Sequence, residues 1–182
     1  LVSFPTDYTY SLVDQPTGLT IENDTIKWTP TESQAGQIYS IKIIADNTFE
    51  KDTLLVQIYV LKGNEYAELP DKDITWDSDT IKVYGNLNVN NGRTLTINPG
   101  VYVQFQDHYT LKINGRLLAN GSANNRITFS AKDTIITSSS GGWSGILFDN
   151  TPNTNDSSII NYCNLEWGNS FDLSGANTVG SL

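Results

Sequence analysis

Residues 81–87 read IKVYGNL and residues 111–117 read LKINGRL, so one pattern of apolar, basic and glycine positions occurs twice, thirty residues apart. In both copies an aliphatic residue alternates with a polar one, and a glycine precedes the last leucine by two positions. Alternation with a period of two is typical of a β-strand, and self-similarity at a fixed spacing is typical of stacked repeats. The pair therefore predicts successive coils of a parallel β-helix.

The repeat also predicts which side chains stack on one another. A strand this short buries little by itself, whereas stacked coils bury equivalent side chains against each other. Gly85 and Gly115 mark the predicted corners, where a residue without a Cβ allows a sharp turn, and residues 143–148 (WSGILF) supply a third coil. The alternative is a second β-sandwich with an accidental similarity. The predicted inward ladders are Ile81 with Leu111, Val83 with Ile113, and Leu87 with Leu117.

Upstream of the repeat, the chain has the spacing of a small β-sandwich. Alternating segments occur at residues 8–12, 37–43 and 53–60, with turn-forming residues between them. Short alternating strands with regular turns are typical of sandwiches. Pro30 ends the segment that contains Trp28, whose side chain we expect in the core. The predicted domains are an Ig-like sandwich at 1–61, a linker or β-helix cap at 62–79, and a truncated parallel β-helix at 80–182.

Composition and charge exclude several classes of function. The chain has 11 basic and 20 acidic residues and a formal net charge of −9, and its basic residues do not cluster. Nucleic acids and anionic membranes attract basic patches, so we expect neither as a partner. The apolar runs are too short for a membrane helix, while 38% apolar residues suffice to fill a core.

Cysteine usage and the small polar residues indicate the compartment. Cys163 is the single cysteine and His108 the single histidine, so the chain forms no internal disulfide and no cysteine-rich zinc site. Abundant Asn, Thr, Ser and Gly with little cysteine suit a bacterial exterior better than a eukaryotic one, where disulfides are usual. The chain opens at Leu1 and contains no methionine, which we interpret as a piece of a longer protein. We expect an extracellular or cell-surface location.

The upstream segments resemble a known class of domain. Residues 8–60, with PTGLTI at 16–21 and IKWTPT at 26–31, resemble the Ig-like or cadherin-like domains of bacterial secreted proteins. The resemblance implies a spacer or adhesion domain without catalytic residues. It also implies a first strand that precedes Tyr8.

The downstream segments resemble a second class. Residues 80–170, with LTINPGVYVQF at 95–105 and GRLLANG at 115–121, resemble the right-handed parallel β-helix proteins of bacterial surfaces, which share their fold with pectate lyases. The resemblance specifies the architecture and the hand of the helix far better than an activity.

Pectate lyases on this scaffold hold calcium with several acidic residues and use a basic residue on the same face. The acidic residues of the predicted coils do not recur at one coil position, as stacked ligands would, so we predict no lyase site. The basic candidates are Lys82, Lys112, Lys132, Arg93, Arg116 and Arg126, and the acidic ones are Asp107, Asp133, Asp149 and Glu166.

Two further candidate sites, a carboxylate pair and a cysteine–histidine dyad, have simpler interpretations. Glycoside hydrolysis needs two carboxylates that face each other across a sugar, and Asp149 with Glu166 is the pair to consider; we favour two surface acids. A reactive thiolate needs an electropositive setting, which the sequence around Cys163 lacks, so we favour a packed thiol over a dyad with His108. We therefore predict no catalytic residue, no metal site and no cofactor, and assign no ligand-binding residue.

The acidic segment between the two predicted domains permits a calcium site. Calcium prefers oxygen ligands, and the acids of this segment stand at alternate positions without the glycine and closing glutamate of an EF-hand loop. We favour a solvated linker, with a calcium-stiffened joint as the alternative, and treat Asp46 and Asp52 in the same way. The acids of the segment are Asp71, Asp73, Asp77 and Asp79.

The function predicted from these features is a non-catalytic structural or adhesive module that binds a polysaccharide or a cell-surface protein. The alternative is the N-terminal part of a polysaccharide lyase or another carbohydrate-active β-helix enzyme, with its active site downstream. Exposed aromatic rings would stack on sugars. An open last coil favours self-association, so we expect either a cap within residues 170–182 or a dimer through that end. The aromatic candidates in the β-helix are Trp143, Trp167, Tyr102 and Tyr109.

Overall fold

The computed structural model describes residues 8–23, 25–47, 49–137 and 141–169, and the chain divides into two compact units, Leu1–Gly63 and Asn64–Leu182. Regular structure in the described residues is β apart from one 3-10 turn at Glu32–Gln34. The all-β prediction is therefore confirmed. We call the strands of the second unit the coil stack.

The first unit contains one antiparallel sheet and one hairpin. Apolar residues alternate along the two longest strands. Because successive side chains of a strand point to opposite faces of the sheet, these residues share the face that is turned toward the hairpin. The sheet has the order β1-β4-β5, and β2 pairs with β3. The strands are β1 (Thr9–Val13), β2 (Thr20–Glu22), β3 (Thr25–Lys27), β4 (Ile38–Asp46) and β5 (Lys51–Tyr59).

The core of the first unit is small. Leu19, Ile41 and Ile43 are its buried apolar side chains among the described residues. Trp28, predicted in the core, is half-buried and packs edge-on against Tyr39, with ring centroids 5.2 Å apart at 87°. Edge-to-face packing is a preferred arrangement of aromatic rings. Because Trp28 follows β3 and Tyr39 lies in β4, this pair connects the hairpin to the sheet. The first strand expected before Tyr8 lies outside the described residues.

The second unit is built from short parallel strands. Their bounds are β6 (Glu65–Tyr66), β7 (Ile74–Trp76), β8 (Thr80–Val83), β9 (Leu87–Val89), β10 (Thr94–Ile97), β11 (Tyr102–Phe105), β12 (Thr110–Ile113), β13 (Arg116–Asn120), β14 (Ile127–Ala131), β15 (Gly145–Phe148), β16 (Ile159–Asn161) and β17 (Cys163–Leu165).

These strands form three parallel sheets that the chain visits in rotation. The first sheet has the order β7-β10-β13-β16, the second β6-β8-β11-β14-β17, and the third β9-β12-β15. Each passage through the three sheets makes one coil, and each coil pairs with the one before it. This arrangement of stacked parallel sheets is consistent with a β-helix, and β6 and β7 place residues 64–79 within it.

Inward side chains of successive coils bury one another. In the second sheet, Ile81 stands in register with Val103, and Val103 with Phe129; all three are essentially inaccessible to solvent. Their polar neighbours, such as Lys82 and Gln104, point outward. Fully burying one such side chain contributes roughly 1.5–3 kcal/mol, so the ladders supply the main stabilisation of this unit.

The predicted ladder partners are wrong. Ile81 pairs with Val103 rather than Leu111, because Ile81 lies in the second sheet and Leu111 in the third. Leu111 instead pairs with Leu87, which was assigned to another ladder, and Leu117 pairs with Leu95. The same correction applies to Val83, which pairs with Phe105, and to Ile113, which pairs with Val89.

The thirty-residue spacing has a different physical meaning. Equivalent positions of the first two coils lie 21 to 24 residues apart, as for 74 and 95 or 87 and 111. The two similar stretches are β8 with β9 and β12 with β13, each a strand, a glycine corner and a strand. They occupy different corners of the coil, and their sequences agree because both corners impose the same local demands.

The corner glycines are required by close approach of the neighbouring coil. A Cβ on Gly85 would lie 2.2 Å from the carbonyl oxygen of Ala67, and one on Gly115 would lie 2.2 Å from that of Asn90 and 2.3 Å from that of Arg93. Neither glycine has a positive φ. A missing side chain, and not the conformational freedom of glycine, is therefore what these corners need.

The ladders become exposed at the last coil described. Phe148, Ile160 and Leu165 face inward, yet they are 46%, 43% and 43% exposed. The residues with which they pair, Ile113, Ala119 and Phe129, are 0% exposed. The cap predicted within residues 170–182 lies outside the described residues, and self-association through this end stays a prediction.

Candidate functional site

Most of the basic residues considered as possible lyase bases form ion pairs within the coil stack. Four of the six form ion pairs with carboxylates, and in each pair the partners belong to different coils or to a loop that follows another coil. The three pairs whose carboxylates are exposed contribute about 0–1 kcal/mol each, whereas the Glu65 carboxylate is buried. The pairs are Lys82–Glu65 (3.6 Å), Arg93–Asp71 (3.0 Å), Lys112–Asp149 (2.8 Å) and Arg116–Asp156 (3.1 Å).

The remaining two basic candidates are separated along one strand. The Arg126 guanidinium, before β14, lies 5.7 Å from the centre of the Tyr162 ring, a cation–π contact. Lys132 follows β14, and its main-chain N–H donates to the carbonyl of Phe105. These two candidates therefore lie at opposite ends of β14.

The four acidic candidates occupy different places in the fold. Asp149 follows β15 in the third sheet and is engaged by Lys112, whereas Glu166 follows β17 in the second sheet. Asp107 accepts a hydrogen bond from the main-chain N–H of His108 (2.8 Å), and Asp133 accepts one from that of Ile135 (2.9 Å). Side chains that bind nearby main-chain N–H groups in this way form turns.

Cys163 is held as a thiol. Its Sγ donates to the carbonyls of Ala119 and Asn161, both at 3.4 Å, and burial raises the pKa of the thiol above its ordinary value. A raised pKa lowers the thiolate fraction at neutral pH, and the thiolate is the nucleophile. His108 lies between β11 and β12, where its carbonyl accepts the Ser144 hydroxyl.

The acidic segment contacts the following coil. The Asp71 carboxylate accepts hydrogen bonds from the Arg93 Nε (3.0 Å) and the Asn90 amide, and the Arg93 hydrogen bond is the main reason that its pKa is lowered. Asp73 accepts the main-chain N–H of Thr94 (2.9 Å). In the described residues, no group of three or more His, Cys, Asp or Glu side chains is placed to hold a metal ion.

Of the aromatic candidates, Trp143 belongs to the core. Its ring stacks on Phe105, with centroids 4.3 Å apart, and on Phe129, with centroids 6.0 Å apart, and its indole N–H donates to the carbonyl of Glu166. Tyr102 and Tyr109 are half-buried, while Trp167 is 48% exposed. Trp167 is therefore the candidate ring that is most accessible on this unit.

An open groove lies on the first unit, where the sequence pattern predicted no ligand site. It has a volume of about 510 Å³. Tyr8 and Tyr10 form one wall. The sequence signal that could have pointed to it is this pair of aromatic residues at alternate positions, one just before β1 and one within it. The other lining residues are Ile43, Ala45, Glu50, Lys51, Asp52 and Leu54.

No protein-family model, curated protein or solved structure matches the chain. Among the described residues, no helix combines the length and the apolarity of a membrane span. Function is therefore inferred from the residues and contacts described above.

Proposed function

We propose that the chain is a non-catalytic structural and adhesive module of a secreted or cell-surface bacterial protein, which binds a glycan or a protein partner. In finer detail, we propose an Ig-like or cadherin-like sandwich followed by the first coils of a right-handed parallel β-helix of the pectate-lyase type. The antiparallel strands of the first unit and the rotating order of the parallel sheets support this assignment.

The observation that carries the proposal is that charged side chains of the coil stack form ion pairs with one another. Lys112 with Asp149 and Arg93 with Asp71 connect one coil to the next. A catalytic base or acid must be able to exchange a proton with a bound substrate, whereas these groups already hold partners of opposite charge. Such contacts suit a rigid spacer that presents a surface to its surroundings.

The contrasting proposal is a role in cleaving acidic polysaccharides. It is tested by incubating the chain with polygalacturonate and calcium and following the ultraviolet absorbance of unsaturated products. We expect no product. Product formation would contradict the structural role, and cleavage by a longer protein that contains this chain, but not by the chain alone, would support the N-terminal part of a carbohydrate-active β-helix enzyme.

The proposed location has a separate test. An antibody raised against the chain should label intact source cells or the culture medium, because an adhesive module must reach the exterior. Labelling confined to the cytoplasmic fraction after cell lysis would contradict the proposal.

A further inference from the structure

Among the described residues, the apolar face of the first sheet is covered at one end and uncovered at the other. Along β4, alternate residues from Tyr39 to Ala45 point to this face. The covered end is the one where Trp28 packs on Tyr39, and Ile41 is only 2% exposed there. At the other end Leu54, in register with the buried Ile43, is 56% exposed. The uncovered half of the face is the floor of the groove.

The walls of the groove combine aromatic rings with an aliphatic side chain. The Tyr8 and Tyr10 ring centroids are 6.4 Å apart with a tilt of 35°, and Tyr10 stands in register with Ala45 of the floor. Leu54 forms the opposite wall across β4. The Tyr8 hydroxyl donates a hydrogen bond to the Glu50 carboxylate, which holds that ring at the mouth of the groove.

We propose that this groove binds a pyranose unit of an uncharged glycan. The proposal rests on the adhesive function above and names its ligand class and its site. A sugar ring has apolar C–H faces and a rim of hydroxyl groups, so the faces pack against tyrosine and leucine while the rim stays polar. The volume of about 510 Å³ lies within the range of small-molecule sites.

Charge selects among glycans. The Glu50 and Asp52 carboxylates line the groove, and they accept hydrogen bonds from hydroxyl groups but repel carboxylates. The one basic lining residue, Lys51, is paired with Asp46 at 3.7 Å. Together with the net charge of −9, these carboxylates disfavour the polyuronates on which pectate lyases act and favour neutral sugars as the ligand.

The test is isothermal titration calorimetry of the 182-residue chain with neutral gluco-, manno- and xylo-oligosaccharides and with oligogalacturonate. We expect binding to a neutral oligosaccharide and none to oligogalacturonate. Tyr10→Ala should weaken binding roughly tenfold, because it removes a stacking ring. Tyr10→Leu keeps an apolar side chain in place and should weaken binding similarly. Tyr59→Ala, on the other face of the same sheet, is the matched control and should bind normally.

Each contrary result has a defined meaning. Normal binding by Tyr10→Ala would overturn the groove as the site and leave the adhesive function standing. Binding of oligogalacturonate alone would overturn the neutral ligand class, and no binding of any sugar would overturn the groove proposal. A dimer that Tyr10→Leu converts to a monomer would assign the groove to a second copy of the chain. The structural role is judged separately, by the polygalacturonate assay.

Discussion

The two units use the same β-strand alternation to build cores of very different size. In the described residues the first unit buries three large apolar side chains, whereas the coil stack buries a continuous cluster that runs from Trp76 to Trp143. In the described residues, a single sheet with a small hairpin leaves part of one face uncovered, where Leu54 is 56% exposed. Stacked coils close their interior, because every inward side chain meets one from the coils above and below. The uncovered face is the surface that we propose binds a ligand, whereas the closed interior consists of packed side chains.

The largest expected effect is in the ladders of the coil stack. Phe105→Ala removes a ring that is 0% exposed and stacks on Trp143, and it should lower the free energy of unfolding by about 3–5 kcal/mol. Denaturant unfolding followed by circular dichroism measures this. Phe49→Ala, at a side chain 96% exposed, is the control and should change stability by less than about 0.5 kcal/mol. Equal losses of stability in the two variants would contradict the view that the buried ladders stabilise the coil stack.

A smaller loss is expected at a corner. Gly115→Ala places a methyl group against two main-chain carbonyl oxygens, which should cost about 1–3 kcal/mol as the coils move apart. Gly63→Ala is the matched control, since a Cβ there meets nothing within 4 Å. The melting temperatures of the two variants give the result. A Gly115 variant as stable as the Gly63 variant would show that the corners tolerate a side chain.

A loss of the same size or smaller is expected when a buried carboxylate is separated from its cation. The Glu65 side chain is 2% exposed, so Lys82→Met should cost about 1–3 kcal/mol by removing its ion pair. Lys112→Met breaks a pair whose partners are both more than one-third exposed and should cost at most about 1 kcal/mol. Urea unfolding of both variants sharpens the comparison between buried and surface charges, and a larger loss for Lys112→Met would contradict it.

The smallest effect concerns pH. The folded-state pKa of Asp71 is lowered by Arg93, so the stabilisation it provides is present above the ordinary carboxyl value of 3.8 and is lost as the pH falls through the lowered value. The carboxyl resonance of Asp71, followed by NMR, should titrate below that of a free aspartate. Arg93→Gln should return the titration toward the ordinary value. A titration unchanged by this substitution would remove the ion pair as the cause.

Much of the fold could be predicted because local patterns carry it. Alternation at 81–83 and 95–97 identified strands, and the paired glycines identified corners. The register could not be predicted, because β8 and β12 have nearly the same sequence while lying in different sheets. Loops of different length, such as the long one after β14, shift the spacing between coils and conceal the true period.

The sites were less predictable than the strands. Residue type alone marked Lys82, Lys112 and Asp149 as candidates, but the partners that engage them lie 17 to 37 residues away along the chain. The groove of the first unit could not be predicted either, because its walls are formed by residues that are distant in sequence. Tyr10 and Leu54 are neighbours only across β4, and no short motif joins them.

By itself, the sequence determined that the chain is all-β, that its surface is acidic and that glycines mark its corners, because these follow from composition and from period-two alternation between neighbours. Only the tertiary structure decided which coil stacks on which, that four of the basic candidates form ion pairs, and that part of one face of the first sheet is uncovered by the described residues. These depend on contacts between distant residues, whose pairing is set by loop lengths and packing rather than by local preference.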